Sequence, residues 1–271
     1  MRNQTTITSE LRSLGVHAGD LVMVHASLKA MGPVEGGAVA IVAALRDAVG
    51  PEGTLMSYAS WDRSPYEETL NGARMDEDDR RNWPPFDPAT AGTYRGFGLL
   101  NQYLAASPGA TRSAHPDASM VALGPRARYL TEPHRLGEAF GKGSPLERFV
   151  DGGGKVLLLG AGLDSVTILH YAEAIADIPG KRRITYEMPL RGADGHTVWE
   201  VVEEFDSNGI LDCFAVEGQP DGVETMATAY VALGRHTEGQ VGCAHCYLFD
   251  AQDIVAFGVS YLEQHHSPSS A

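Results

Sequence analysis

Little in this chain invites a disulfide framework, a membrane or a nucleic acid. Its 271 residues include three cysteines, Cys213, Cys243 and Cys246, too few and too odd in number for a disulfide scaffold and in keeping with a reducing cytoplasm. No run approaches the roughly 18 to 20 consecutive apolar residues of a membrane span. Met1–Glu10 is polar where a secretory signal carries an apolar stretch. Cations are scarce: 21 Lys and Arg stand against 35 Asp and Glu, a formal net charge of −14. Recognition of nucleic-acid phosphates wants clustered Lys and Arg, so that class is disfavoured. There is no internal repeat, and no low-complexity run beyond the tail Ser267–Ala271. The acidic excess serves solubility or attracts a cation, and composition alone does not choose.

Strand-like and helix-like stretches alternate along the chain. Leu21–His25 reads as a short buried strand leading through a glycine-containing loop to an Ala-rich helix over Gly37–Val49. Pro51–Gly53 marks a turn before a strand at Thr54–Ala59. A helix is expected over Tyr94–Ala106, an extended segment over Ala118–Leu123, and a helix over Ser144–Val150 with Ser144 as cap and Pro145 first. Lys155–Leu159 is a short apolar strand. A helix capped by Asp164 or Ser165 then runs to about Ile178 and stops before Pro179-Gly180. Arg183–Pro189 and Val198–Phe205 read as a hairpin turning at Asp194-Gly195. Helices at Asp221–Leu233 and Ala251–His265 flank a strand around Tyr247–Phe249. This order predicts an α/β fold with a mixed sheet and helices on both faces. Residues 61–93 break the regularity: the segment is long and acidic, yet Trp61, Tyr66, Trp83 and Phe86 need something to pack on, so it reads as a substrate loop.

Three segments could carry chemistry. After the strand ending at Leu159, Thr167, His170, Glu173 and Asp177 are spaced by three and four and share one helical face. A polar stripe near a strand's carboxyl end lies where open α/β sheets keep ligands, and His170 is a candidate general base. Arg112, Ser113 and His115 form a polar loop ahead of Pro116 that presents donors to an anion or serves only as a turn. Ser27, Lys29 and the glycine-rich loop before the Gly37 helix suit a phosphate or pyrophosphate. Gly160-Ala-Gly162 lacks the third glycine of a dinucleotide fingerprint. No Gly-x-Ser-x-Gly elbow occurs. Cys243-Ala-His-Cys246 has no second pair to complete a zinc site, and no metal is expected.

Taken together, the stretches His25–Gly37, Trp61–Thr69, Pro85–Thr90, Arg112–Ser119, Leu169–Glu173 and Asp206–Asp212 resemble the aminoglycoside 3-N-acetyltransferases, in family order and from about residue 7 to 265. The likeness points to the gentamicin-modifying branch. It implies a single domain over 1–271, one three-layer αβα unit with a mixed sheet, the antibiotic N-acetyltransferase fold, distinct from the common acetyltransferase superfamily. It also implies antibiotic resistance through direct acetyl transfer from acetyl-CoA to the 3-amine of an aminoglycoside in a ternary complex. The resemblance puts the base at His170 and the carboxylate that orients it at Asp206, with Glu204 two residues away on the same strand face. Coenzyme contacts map to Ser27, Lys29, Gly32 and Val34, with Ser113 and Thr167 nearby. A polycationic substrate calls for carboxylates and aromatic rings, which Asp62, Tyr66, Glu67, Asp87, Glu173, Asp206 and Asp212 offer, and the acidic charge then speeds encounter. A cytoplasmic monomer or homodimer is expected. A transferase acting on another amine, a non-catalytic polyamine-binding protein and a hydrolase using Cys213 are the competing readings.

Overall fold

Two apolar layers, one on each side of a central sheet, set the architecture. The computed structural model describes residues 2–267; Met1 and Pro268–Ala271 of the polar tail lie outside them. Among these residues a seven-stranded sheet runs in the order β3-β4-β2-β1-β5-β9-β8. Its strands are β1 (Leu21–Ala26), β2 (Thr54–Tyr58), β3 (Thr111–Arg112), β4 (Met120–Leu123), β5 (Lys155–Leu159), β8 (Thr237–Val241) and β9 (Ala244–Asp250); β6 (Arg183–Arg191) and β7 (Thr197–Phe205) pair only with each other. β1 is parallel to β2 and β5, and the outer strands are antiparallel, so the sheet is mixed. Period-two alternation sorts the side chains: Met23, Val156 and Leu158 enter one layer, while Val22, Val24, Leu157 and Leu159 enter the other.

The second layer is closed by α1 (Gln4–Leu14) and by α3 (Gly37–Val49), which follows the single turn α2 (Leu28–Met31). On this side also lies α6 (Leu100–Ala105), beyond the short α4 (Tyr66–Thr69) and α5 (Glu77–Asn82) of the acidic segment. α7 (Ala127–Thr131), α8 (Pro145–Asp151), α9 (Leu169–Ile175), α10 (Gly222–Ala232) and α11 (Ala251–His266) cover the first layer. The caps fall where the side chains allow: Ser144 Oγ accepts from Leu146 N, and Asp221 from Glu224 N.

Four expectations need correction. Tyr94–Ala106 is not one helix, because Gly98 takes φ +93 and its backbone lies against Ala26 O, leaving a 3-10 turn and the shorter α6. The helix expected from Asp164 is a 3-10 turn at Leu163–Ser165, broken at Val166 (ψ 67), and α9 ends at Ile175. The hairpin leaves the main sheet altogether. α1 forms where the sequence reads only as polar, held by an Asn3 cap and by Ile7, Leu11 and Leu14.

The acidic segment packs on that hairpin. Tyr66 and Leu70 sit against Ile184, Tyr186, Met188 and Val202, and Phe86 N donates to Pro189 O at 2.8 Å. Its neck is closed by Arg112, which donates to the carbonyls of Ser60, Ala91 and Gly92 and to Ser119 Oγ, with Phe86 5.5 Å from its guanidinium. Burial pulls the Arg112 pKa down to about 10, still well above neutral. Arg112 therefore clamps backbone and is not free to meet an anion. We predict that Arg112→Met lowers stability by about 1 to 3 kcal/mol, since the part-buried carbonyls of Ser60 and Ala91 lose their donor, and exposes residues 61–93 to protease. An unchanged denaturation midpoint and cleavage pattern contradicts the clamp.

Candidate active site

The parallel strands β1 and β5 end side by side, and beyond their carboxyl ends opens a cleft of about 720 Å³. His25, Ser27, Lys29, Gly160, Thr167 and His170 line one part; Tyr58, Arg95, Phe97, Phe140, Asn208 and Asp221 complete it. Gly160 is required at the floor: it takes φ +71, and a Cβ there would come within 2.7 Å of Ala30 Cβ. A larger hollow of about 820 Å³ lies between α1 and α3, with Arg12, Arg46 and Asp47 as its ionisable lining. It offers no paired acid and base, so the chemistry belongs to the strand-end cleft.

The decisive contact is short. His170 Nδ1 lies 2.7 Å from Glu173 Oε2, three residues on along α9. A carboxylate only accepts, so Nδ1 carries the proton and Nε2 keeps its lone pair. The Phe140 ring stacks on the imidazole at 4.9 Å, 29° from parallel. Glu173 is 1% exposed. Burial raises its pKa, and the hydrogen bond from His170 offsets part of that rise.

The family profile described as Aminoglycoside 3-N-acetyltransferase matches residues 23–263. A curated aminoglycoside N(3)-acetyltransferase III of Acinetobacter baumannii is 72% identical over 265 residues, 98% of this chain and 93% of its own. The crystal structure of aminoglycoside acetyltransferase AAC(3)-IIb superposes with a TM-score of 0.97 at 73% identity, covering 98% of both chains. AAC-VIa bound to sisomicin gives 0.95 at 48%, covering 98% of this chain and 99% of that one; AAC-IIIb binary with CoASH gives 0.91 at 41%, covering 99% of each. The chain belongs to the aminoglycoside 3-N-acetyltransferases. It has that family's fold, and it is an acetyl-transferring enzyme.

Within this acetyltransferase, Asp206 does not reach His170. Its carboxylate takes Arg182 at 3.1 Å and the Asn208 N–H at 3.0 Å, and Glu173 is the partner of His170. The signal for that pairing is the i,i+3 spacing on α9, which the sequence alone presents as a ligand stripe. Ser27, Lys29 and Thr167 line the cleft, but Gly32 and Val34 do not: Gly32 closes α2 against Cys243 and Val34 pairs with Arg2. Ser113 is fully buried, its Oγ 2.9 Å from His134 Nδ1. Among the antibiotic candidates, Tyr66 OH accepts from Asn208 at the cleft's edge. Glu67 is exposed beside it. Asp62 lines a separate hollow with Asp79 and Trp83. Asp87 caps a turn and pairs with Arg191, and Asp212 pairs with Arg182. Sequence reading missed His25, Arg95 and Asp117. Arg95 joins Lys29 as a cation of the cleft. Asp117 accepts from Ser64, and burial raises its pKa.

No helix among the described residues is long and apolar enough to cross a membrane. Two buried histidines make stability depend on pH. Burial, then repulsion by His170, lowers His25 to about 4; burial, then His115, holds His134 well below the usual range. Both are neutral when folded, whereas the unfolded chain protonates near pH 6.5. Their contribution is complete above pH 6.5 and is lost as pH falls from there toward 4, by up to about 1.4 kcal/mol per histidine per pH unit. Denaturant titrations at pH 7 and 5.5 are predicted to show a smaller acid-induced loss in His134→Gln than in the parent. Equal losses contradict it.

Proposed function

We propose that this acetyltransferase moves the acetyl group of acetyl-CoA directly onto the 3-amine of a bound aminoglycoside, with His170 as general base and Glu173 as the group that orients it. The reading rests on the 2.7 Å contact between His170 Nδ1 and Glu173 Oε2 inside the strand-end cleft. An ammonium has no lone pair, so the target amine must give up a proton before it attacks a thioester. With Nδ1–H committed to Glu173, Nε2 is the nitrogen that takes it, and the buried carboxylate stabilises the imidazolium. As the N–C bond forms the C–S bond breaks, the coenzyme leaves as thiolate, and the surplus proton of the acylated nitrogen goes to that sulfur, giving free CoA. Ser27, Ser165, Thr167 and Ser207 line the cleft, yet none hydrogen-bonds to His170 among the described residues. That favours one transfer between two bound substrates over an acyl-enzyme.

The cleft suits partners of opposite charge. Lys29 and Arg95 are its cations and fit the coenzyme's phosphates, beside the Ser27 hydroxyl; a relative with CoASH bound supports a coenzyme there. Asp164 and Asp221 line the same cleft. Near it, Asp117, Asp206 and Glu67 act on Tyr66 and, after burial, raise its pKa. Carboxylates and phenol rings fit a polycationic sugar, as the sisomicin-bound relative supports. Such an enzyme confers resistance by working in the cytoplasm, where acetyl-CoA is found.

The test is thiol release from acetyl-CoA with a panel of aminoglycosides, and NMR of the product. Free CoA formed only with antibiotic present, and acetyl on the 3-amine, is the expected result. His170→Ala is predicted to abolish turnover with the fold intact, and Glu173→Gln to lower kcat by about 10²–10⁴-fold. Normal turnover in His170→Ala refutes the base.

A further inference from the structure

Beneath the cleft lies a buried polar network that the reaction as described does not use. Glu204 of β7 is 7% exposed and takes three donors. Its Oε1 accepts from His115 Nε2 at 3.1 Å and from Ala139 N at 3.1 Å, and its Oε2 accepts from Tyr186 OH at 2.7 Å. The tautomers follow from the partners. Ala118 N donates to His115 Nδ1, so the His115 proton is on Nε2 and points at Glu204. The carbonyl of Ala139 is 3.0 Å from His134 Nε2, which must donate; His134 Nδ1 then accepts from Ser113, whose oxygen accepts from Met120 N. Burial works against charge on Glu204, but His115, Tyr186 and the Ala139 N–H outweigh it and hold its pKa below the usual carboxylate range.

Both backbone polar groups of Ala139 are thus pinned by buried side chains, its N–H by Glu204 and its C=O by His134. The next residue is Phe140, whose ring lies on the imidazole of His170. Glu204 also belongs to the hairpin whose far end leads into Ser207 and Asn208 at the cleft wall. We propose that Glu204 is a positioning residue for acetyl transfer: it holds Phe140 against His170 through the backbone of Ala139. This rests on His170 being the base. One buried carboxylate then joins three separate stretches of chain, 113–120, 134–140 and 183–205, and the last two bring the ring centroids of Phe140 and Phe205 to 6.4 Å from each other.

Kinetics of Glu204→Leu, Glu204→Gln, Phe140→Leu and the double variant Glu204→Leu/Phe140→Leu test it, with His170→Ala alongside and a thermal midpoint for each. Glu204→Leu removes both acceptors while keeping bulk, and kcat is expected to fall about tenfold or more with the KM for acetyl-CoA held within about twofold. The amide of Glu204→Gln still accepts from Ala139 and His115 while the Tyr186 hydroxyl turns to accept, so most of kcat returns. Phe140→Leu alone lowers kcat, and adding Glu204→Leu to it lowers kcat little further, because both act through one ring. Parental kcat in Phe140→Leu overturns the proposal even if Glu204→Leu does not fold. So does an additive double variant, or a Glu204→Gln enzyme no better than Glu204→Leu. Full activity in His170→Ala instead overturns the base itself, whereas an inactive His170→Ala beside a fully active Glu204→Leu overturns only this role for Glu204.

Discussion

A carboxylate almost wholly removed from water needs a donor, and Glu173 has one in His170 Nδ1 at 2.7 Å. That pairing decides what the rest of the site can be. It fixes the imidazole's tautomer, leaves Nε2 bare, and places a stabilising charge behind any proton the ring accepts. It also constrains the fold around it. Gly222 begins α10 where a Cβ would lie 2.5 Å from Glu173 Oε1, so only a glycine lets that helix pack so closely. On the other side Phe140 covers the imidazole and limits the ring's freedom.

The second constraint is charge. This acetyltransferase carries a net charge of −14, yet its cosubstrate, acetyl-CoA, is itself an anion. The cleft carries both signs of charge, Lys29 and Arg95 on one hand and Asp164 and Asp221 on the other. The acidic segment contributes less directly than its composition suggests. Asp87 and Asp62 are spent on turns, an ion pair and a separate hollow, while Tyr66 reaches the cleft's edge because α4 packs on the hairpin. Arg112 makes this possible by closing the segment at its neck.

Much of this was legible in the chain. The apolar runs at Leu21–His25 and Lys155–Leu159 mark central strands, and Ser144 acts as the cap its position promises. His170 stands out because it belongs to a polar stripe that begins near a strand's carboxyl end. Its partner was harder: the resemblance offers Asp206 or Glu204, and passing over both for Glu173 requires knowing that Arg182 takes Asp206 while His115 and Tyr186 take Glu204. The hairpin's departure from the main sheet is likewise a long-range matter, since its local pattern is the same in either arrangement. Arg112, Ser113 and His115 read as a polar loop open to an anion or as a turn, because such groups are more often exposed than buried. The partners of His115 and Ser113, Glu204 and His134, lie 89 and 21 residues away.

The state of the His170 ring tests the account most directly. Nitrogen-15 NMR of histidine-labelled enzyme near neutral pH, with His170 assigned by difference from His170→Ala, reads which nitrogen carries the proton. A protonated Nδ1 and a bare Nε2, with that preference lost in Glu173→Gln, is the predicted result. A proton resident on Nε2 in the parent enzyme, or a tautomer indifferent to Glu173, would contradict it.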